Sequence, residues 1–185
     1  MIDRRTLLEA LVGIALAPAV LARAQAPPSR STLDPALARA LTASPYVYVS
    51  PLRLDGAEST CHGEVWYGWL DGSVVVITAA TSWKARSLAR GLTRARLWVG
   101  DYGRWKQVLG RNDGFRAGPS CVAHAERIRD AGVLDRLLAD YEKKYPAEIG
   151  NWRDRMRAGQ RDGSRVLIRY VPEASTTGDA GAART

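Results

Sequence analysis

From Tyr46 onward short aromatic and β-branched runs are broken by glycine-containing turns and one short helical stretch, and a long helical spacing follows Asp130. Tyr46-Val47-Tyr48-Val49-Ser50 is aromatic and β-branched and leads through Leu52-Arg53-Leu54 to Asp55-Gly56, which predicts a first strand ending in a tight turn. Residues 59 to 70 predict a second strand that stops at Asp71-Gly72. The uninterrupted apolar run Val74-Val75-Val76-Ile77 then suits a buried central strand. Thr81-Ser82 before Trp83 to Arg90, closed by Gly91, has the form of a short capped helix. Ala95 to Val99 and Trp105 to Leu109 flank Asp101-Tyr102-Gly103 and predict another hairpin, and Cys121 to Arg129 predicts a later strand. Arg111 to Ser120, rich in glycine and proline with Asn112 and Asp113, is expected to be an irregular, mobile loop.

Val133, Leu134, Leu137, Leu138, Tyr141 and Tyr145 follow the helical repeat, with Asp135, Arg136, Asp140, Glu142 and Lys143 on the other face; Pro146 ends that helix. A second helix over Ile149 to Met156 and a last strand over Arg165 to Val171 complete the pattern. Upstream, residues 27 to 44 read as a proline-rich linker followed by a short helix, Pro35 to Leu41, capped by Thr32 or Asp34. Residues 174 to 185 are expected to be disordered. Strands, short helix, strands, helices and strand in that order predict an α+β fold, a mainly antiparallel barrel over residues 45 to 173.

Composition narrows the class. A chain of 185 residues, 46% hydrophobic and 25% charged, has room for one ordinary core and is neither wholly disordered nor collagen-like. Lys and Arg number 27 against 19 Asp and Glu, a net +8 that suits an anionic partner: nucleic acid, anionic lipid or a phosphorylated small molecule. Residues 1 to 26 have the layout of an export signal, with cleavage equally readable after Ala24 or Ala26. Arg4-Arg5-Thr6-Leu7-Leu8 resembles the twin-arginine motif, although Asp3 and Glu9 depart from it. The apolar stretch Leu7 to Leu21 is shorter than the roughly 20 residues a spanning helix needs and carries Glu9 and Pro18, so no permanent membrane anchor is expected. Delivery to the periplasm, or other export, is the expectation. The twin-arginine resemblance further implies export of a folded, cofactor-loaded protein.

Several side chains could carry chemistry. Thr78, Thr81, Ser82, Lys84 and Arg86 gather hydroxyls and cations around a helix start, where a phosphate is favoured; the alternative is that Ser82 only caps the helix and the cations only solvate its outer face. Thr60, His62, Glu64 and Trp66 share one strand face and Trp69 the other; the first set could border an apolar ring, and Trp66 could equally fill the core. His62 is the one candidate acid in reach. The two cysteines and two histidines, Cys61-His62 and Cys121-x-x-His124, match a zinc inventory, but adjacent strand residues point oppositely and no metal is expected. A Cys61–Cys121 disulfide and two separate thiols stay open as alternatives. Lys84 to Arg96 is basic without an acid and is followed by Trp98 and Trp105, an interleaving that nucleic acid would accept; on an exported chain a phosphorylated cofactor or anionic surface is the better partner, and no nucleic acid is expected.

Three segments, in order, resemble the split β-barrel family of flavin-binding proteins that includes pyridoxamine 5′-phosphate oxidase, its deazaflavin-dependent relatives and haem-handling cousins. They are Glu64-Val65-Trp66-Tyr67-Gly68-Trp69 between two Asp-Gly turns, Val74 to Thr78 leading into Thr81-Ser82-Trp83-Lys84-Ala85-Arg86-Ser87-Leu88, and Cys121 to Asp130 feeding a helix that ends Tyr141-Glu142-Lys143-Lys144-Tyr145-Pro146. The resemblance spans residues 45 to 172. It implies a split barrel, a homodimer with FMN or a deazaflavin at the subunit interface, an oxidoreductase of unknown small-molecule substrate, and cofactor contacts from Thr78, Thr81, Ser82, Lys84, Arg86, Glu64 and Trp66. Where the family has an asparagine and a proline after the helix start, this chain has Ala89-Arg90-Gly91-Leu92-Thr93. The alternative is a barrel with no cofactor that holds a partner or small anionic ligand in the periplasm. The substrate-phosphate arginine and histidine of a true pyridoxamine 5′-phosphate oxidase have no counterpart near Arg165 to Arg169, so that activity is not expected.

Overall fold

The computed structural model describes residues 33–104, 106–107 and 110–173. The predicted export signal, most of the linker, Trp105, Val108, Leu109 and the tail from residue 174 lie outside them. The elements are α1 (Pro35–Ala43), β1 (Tyr46–Pro51), β2 (Gly63–Trp66), β3 (Gly68–Leu70), β4 (Ser73–Ala79), α2 (Trp83–Ala89), β5 (Arg94–Val99), β6 (Lys106–Gln107), β7 (Gly110–Arg111), β8 (Ser120–Ile128), α3 (Ala131–Lys144), α4 (Arg153–Asp162) and β9 (Arg165–Pro172), with single 3-10 turns at Gly114–Ala117 and Ile149–Asn151.

The seven main strands pair antiparallel in the order β2-β1-β5-β8-β9-β4-β3. The two edge strands of that list, β2 and β3, are neighbours in sequence and are separated only by Tyr67. The sheet therefore curls until its edges are two halves of one bent segment, giving a nearly closed barrel with flanking helices: the expected α+β split barrel. The predicted single strand over 59 to 70 is corrected in the same way. Residues 59–62 lie outside any strand, and the remainder breaks at Tyr67, before which it pairs with β1 and after which it pairs with β4.

Tyr67 holds the bend. Its backbone N–H donates to the Tyr145 hydroxyl at 3.3 Å, and its own hydroxyl donates to the carbonyls of Leu41 (2.7 Å) and Ser44 (3.0 Å) at the end of α1. Tyr67→Phe is expected to cost about 1–3 kcal/mol, because the buried carbonyls of Leu41 and Ser44 lose the one proton they share while packing is kept; urea unfolding measures it.

Strand alternation sorts the core. Val47, Val49, Val74, Val76, Ala95, Leu97, Val99, Cys121, Ala123, Ala125, Val166, Ile168 and Tyr170 fill the barrel. The opposite parity, Val75, Ile77 and Leu167, faces outward and is covered by Val133, Leu134, Leu137, Leu138 and Tyr141 of α3, each such side chain being worth about 1.5–3 kcal/mol of burial. Asp130 caps α3, accepting from Val133 N–H at 3.1 Å, and Asp34, of the two candidates, caps α1. Asp71 and Gly72 both take positive φ (51° and 73°), the twist a two-residue hairpin between β3 and β4 needs.

Three further expectations change. β5 lies between β1 and β8 and makes no hairpin with the segment after it; β6 pairs only with β7. The Arg111 to Ser120 loop contains a 3-10 turn whose Phe115 is fully buried. The helix predicted over Ile149 to Met156 is a 3-10 turn followed by α4, which runs on to Asp162 and ends at Gly163 in the left-handed conformation (φ 81°).

Candidate functional site

The β3–β4 ladder runs from Leu70↔Ser73 to Gly68↔Val75 and goes no further. Beyond it β2 pairs only with β1, and the second half of β4 only with β9, so a split opens between Trp66 on one side and Ile77 to Ala79 on the other. Edge backbone groups and side chains of both parities line this gap. α2 starts at its mouth, where Ser82 Oγ accepts from Ala85 N–H (3.3 Å) and Thr78 Oγ1 donates to Ser82 Oγ (3.1 Å).

Two cavities flank the split. The larger, about 690 Å³, is lined by Thr60, His62, Glu64 and Trp66, together with Cys61, Gly63, Trp83 and Arg104. The four residues predicted to share a face do line one cavity, Glu64 and Trp66 from the outer face of β2 and Thr60 and His62 from the irregular segment before it, while Val65 and Trp69 turn toward the barrel core and Trp66 toward α3. The second cavity, about 420 Å³, shares Trp66 and Arg104 and adds Ile77, Tyr141 and Trp152. Trp66 is held rigidly between them, stacked on Tyr145 at 4.3 Å and 9° and edge-on to Tyr141 at 5.8 Å.

Gly63 permits the closest approach in the wall. A Cβ there would lie 2.9 Å from the Trp83 ring, so only glycine lets Trp83 cross β2, and Lys84 Nζ sits 3.9 Å from the same point. Lys84 lies 4.5 Å from the centroid of the Trp83 ring, and no carboxylate among the described residues pairs with it. Burial alone holds its ammonium below the ordinary lysine range. Burial likewise pushes the Glu64 carboxyl up, against a hydrogen bond from Tyr48 Oη at 3.4 Å that pulls it down. Tyr48, pushed up to about 12 by burial, donates to Gly103 C=O (2.8 Å) and accepts from Tyr102 N–H (2.9 Å), which fixes the loop that carries Arg104.

His62 is buried, with Nδ1 against Ser50 Oγ (2.5 Å) and Nε2 facing Arg116 Nη2 (3.3 Å). A guanidinium only donates, so Nε2 accepts and the neutral ring carries its proton on Nδ1. Cys61 is exposed at the cavity rim while Cys121 is buried among barrel side chains, and both are free thiols; burial pushes the Cys121 thiol up to about 11.

Of the residues singled out from sequence, His62, Glu64 and Trp66 line one cavity, Lys84 meets its wall at Gly63 and Trp83, and Thr78 and Ser82 join at the α2 cap. Thr81 and Arg86 are exposed and line neither cavity. Trp83, Gly63 and Arg104 went unnoticed. Trp83 had a signal, its place inside the Ser-x-Lys helix start; Arg104 had none, because only the fold of residues 101–104 over Tyr48 brings it to β2.

The bent edge strand, the split beside it and the helix that starts at its mouth define a split β-barrel. No protein-family model and no curated protein matches the sequence. Among solved structures the chain is similar to a conserved hypothetical protein of Mycobacterium tuberculosis, at 19% identity over 78% of this chain and 84% of that one with a TM-score of 0.51. It is also similar to HutZ, the heme storage protein of Vibrio cholerae, at 14% identity over 76% and 90% of the two chains with a TM-score of 0.50.

Proposed function

We propose that this chain is an exported, homodimeric split-barrel flavoprotein that binds FMN, or a deazaflavin, along the split between β2 and β4 and serves as an oxidoreductase. Lys84 carries the reading: an ammonium desolvated at the cavity wall with no carboxylate partner among the described residues is a site prepared for an anion. The residues present fit the group. Thr78 and Ser82 supply hydroxyls at the start of the helix that carries the cation, Trp66 and Trp83 supply flat apolar walls, and the edge of β2 away from β1 supplies backbone donors and acceptors for ring heteroatoms. A bound flavin would supply hydride or electron transfer; the chain would orient it and exclude water.

Purification from the exported fraction, a visible spectrum, and FMN titration followed by fluorescence quenching test the proposal. Saturable binding that Lys84→Ala weakens by about tenfold or more, with Arg86→Ala close to wild type, is expected, since one charge-assisted contact is worth about 1.5–3 kcal/mol. A colourless protein that takes up neither FMN nor a deazaflavin overturns it and favours the partner-holding barrel, to which the Ala89-to-Thr93 departure also points. Replacing Arg4 and Arg5 with lysine keeps the charge and should strand the folded precursor inside the cell.

A further inference from the structure

Away from the split, the end of β8, the start of α3, the last turn of α4 and the start of β9 enclose a second cleft of about 450 Å³. Arg127, Arg129, Arg161 and Arg165 line it, with Asp162 as its carboxylate and Ala131 at the α3 N-terminus. Asp162 is already engaged: Oδ1 accepts from Ser164 N–H at 2.8 Å. Elsewhere on the surface, Arg53, Arg94, Arg116, Arg136, Arg153, Arg157 and Arg169 each pair with a carboxylate. Arg127, Arg129 and Arg161 make no ion pair among the described residues, and Arg165 instead packs on the Trp152 ring at 5.6 Å.

Guanidiniums cannot shed their protons, so four of them against the single carboxylate of Asp162, on which Arg161 acts, leave the concavity with a surplus of positive charge at any working pH, which an anion would offset. The negative end of α4 accounts for Arg161, which lies in its last turn. It does not account for Arg127 and Arg165, which come from strands, or for Arg129 just past the end of β8. Arginine also presents the planar fork that matches phosphate oxygens two at a time, and a concave volume of this size takes a small ligand rather than an extended surface. We propose that this cleft is a second anion site, for a small molecule carrying two or more phosphate groups; it does not rest on the flavin reading.

Calorimetric titration of inorganic triphosphate into the full chain carrying Lys84→Ala, at about 0.15 M salt, removes the split from the measurement. Saturable one-site binding is expected, weakened about tenfold or more by the further pair Arg127→Ala and Arg129→Ala and only modestly by the matching pair to lysine. Both positions are exposed, so the variants should melt with their parent. Absence of saturable binding, equal affinity in the alanine pair, or capture by phosphatidylglycerol vesicles without triphosphate binding would each overturn the assignment, the last in favour of a membrane surface.

Discussion

Lys84→Met is expected to raise the melting temperature of the flavin-free protein at neutral pH and, in the same variant, to remove most of its affinity for FMN. Burial lowers the lysine below its ordinary value of 10.5, so the folded state disfavours the charged form. Between the folded and unfolded pKa values the unfolded chain binds more protons, and stability rises with pH; below both, the full cost of the buried charge is present. The Trp83 ring offsets part of that cost. Methionine keeps the length and discards the charge, so its advantage should be largest at neutral pH and shrink as the pH approaches and passes 10.5. Thermal melts from pH 7 to 11 with parallel FMN titrations check it, and a variant no more stable than its parent at neutral pH would remove the idea that Lys84 is held at a cost for a ligand. Glu64 points the same way with the opposite sign of charge: burial raises its carboxyl, so whatever it contributes is present at low pH and lost as pH rises through its folded value. A desolvated carboxyl on the cavity wall and a desolvated ammonium behind Gly63 and Trp83 of that wall are the kind of cost a site accepts for binding.

Most strands were legible because their cause is local. Alternation, β-branching and the Asp71-Gly72 turn decide where β1, β4, β8 and β9 lie, and Ser82 and Asp130 mark helix starts by hydrogen bonds within three residues. What was not legible depends on distant pairing. The break at Tyr67 has no signature in Val65-Trp66-Tyr67-Gly68-Trp69; it shows only once the two halves are seen to pair with different strands, β1 and β4, and the Tyr145 hydroxyl, 78 residues away, accepts the Tyr67 N–H. The site divided along the same line. Glu64, Trp66 and His62 could be grouped by parity on one strand, and Ser82 with Lys84 by proximity along the chain. Arg104 and the Trp83–Gly63 contact needed the third dimension.

Phe115 is the strongest case of that kind, and Phe115→Ala is expected to produce the largest loss of stability of any single side-chain truncation among the described side chains of the 101–120 segment. Glycine, proline, asparagine and aspartate around it favour irregular backbone, and the backbone there does turn tightly. Yet the ring is fully buried, stacked on Tyr48 at 4.8 Å and 9°, tilted against His62 at 5.7 Å and edge-on to Trp98 at 6.2 Å. It is the lid on the outer face of β1 and β5. Truncation should cost about 3–5 kcal/mol, a large share of the roughly 5–15 kcal/mol that holds a domain together, whereas Phe115→Leu should stay within about 1.5 kcal/mol if the cavity repacks. The effect should also reach the split. Tyr48 under that lid holds Tyr102 and Gly103 in place, so a loosened Tyr48 frees the loop bearing Arg104, and FMN affinity should fall in step with the destabilisation. Urea unfolding of both variants measures the first effect and FMN titration below the unfolding transition the second. A loss under about 1 kcal/mol for the alanine variant would mean that Phe115 rests on the barrel without closing it.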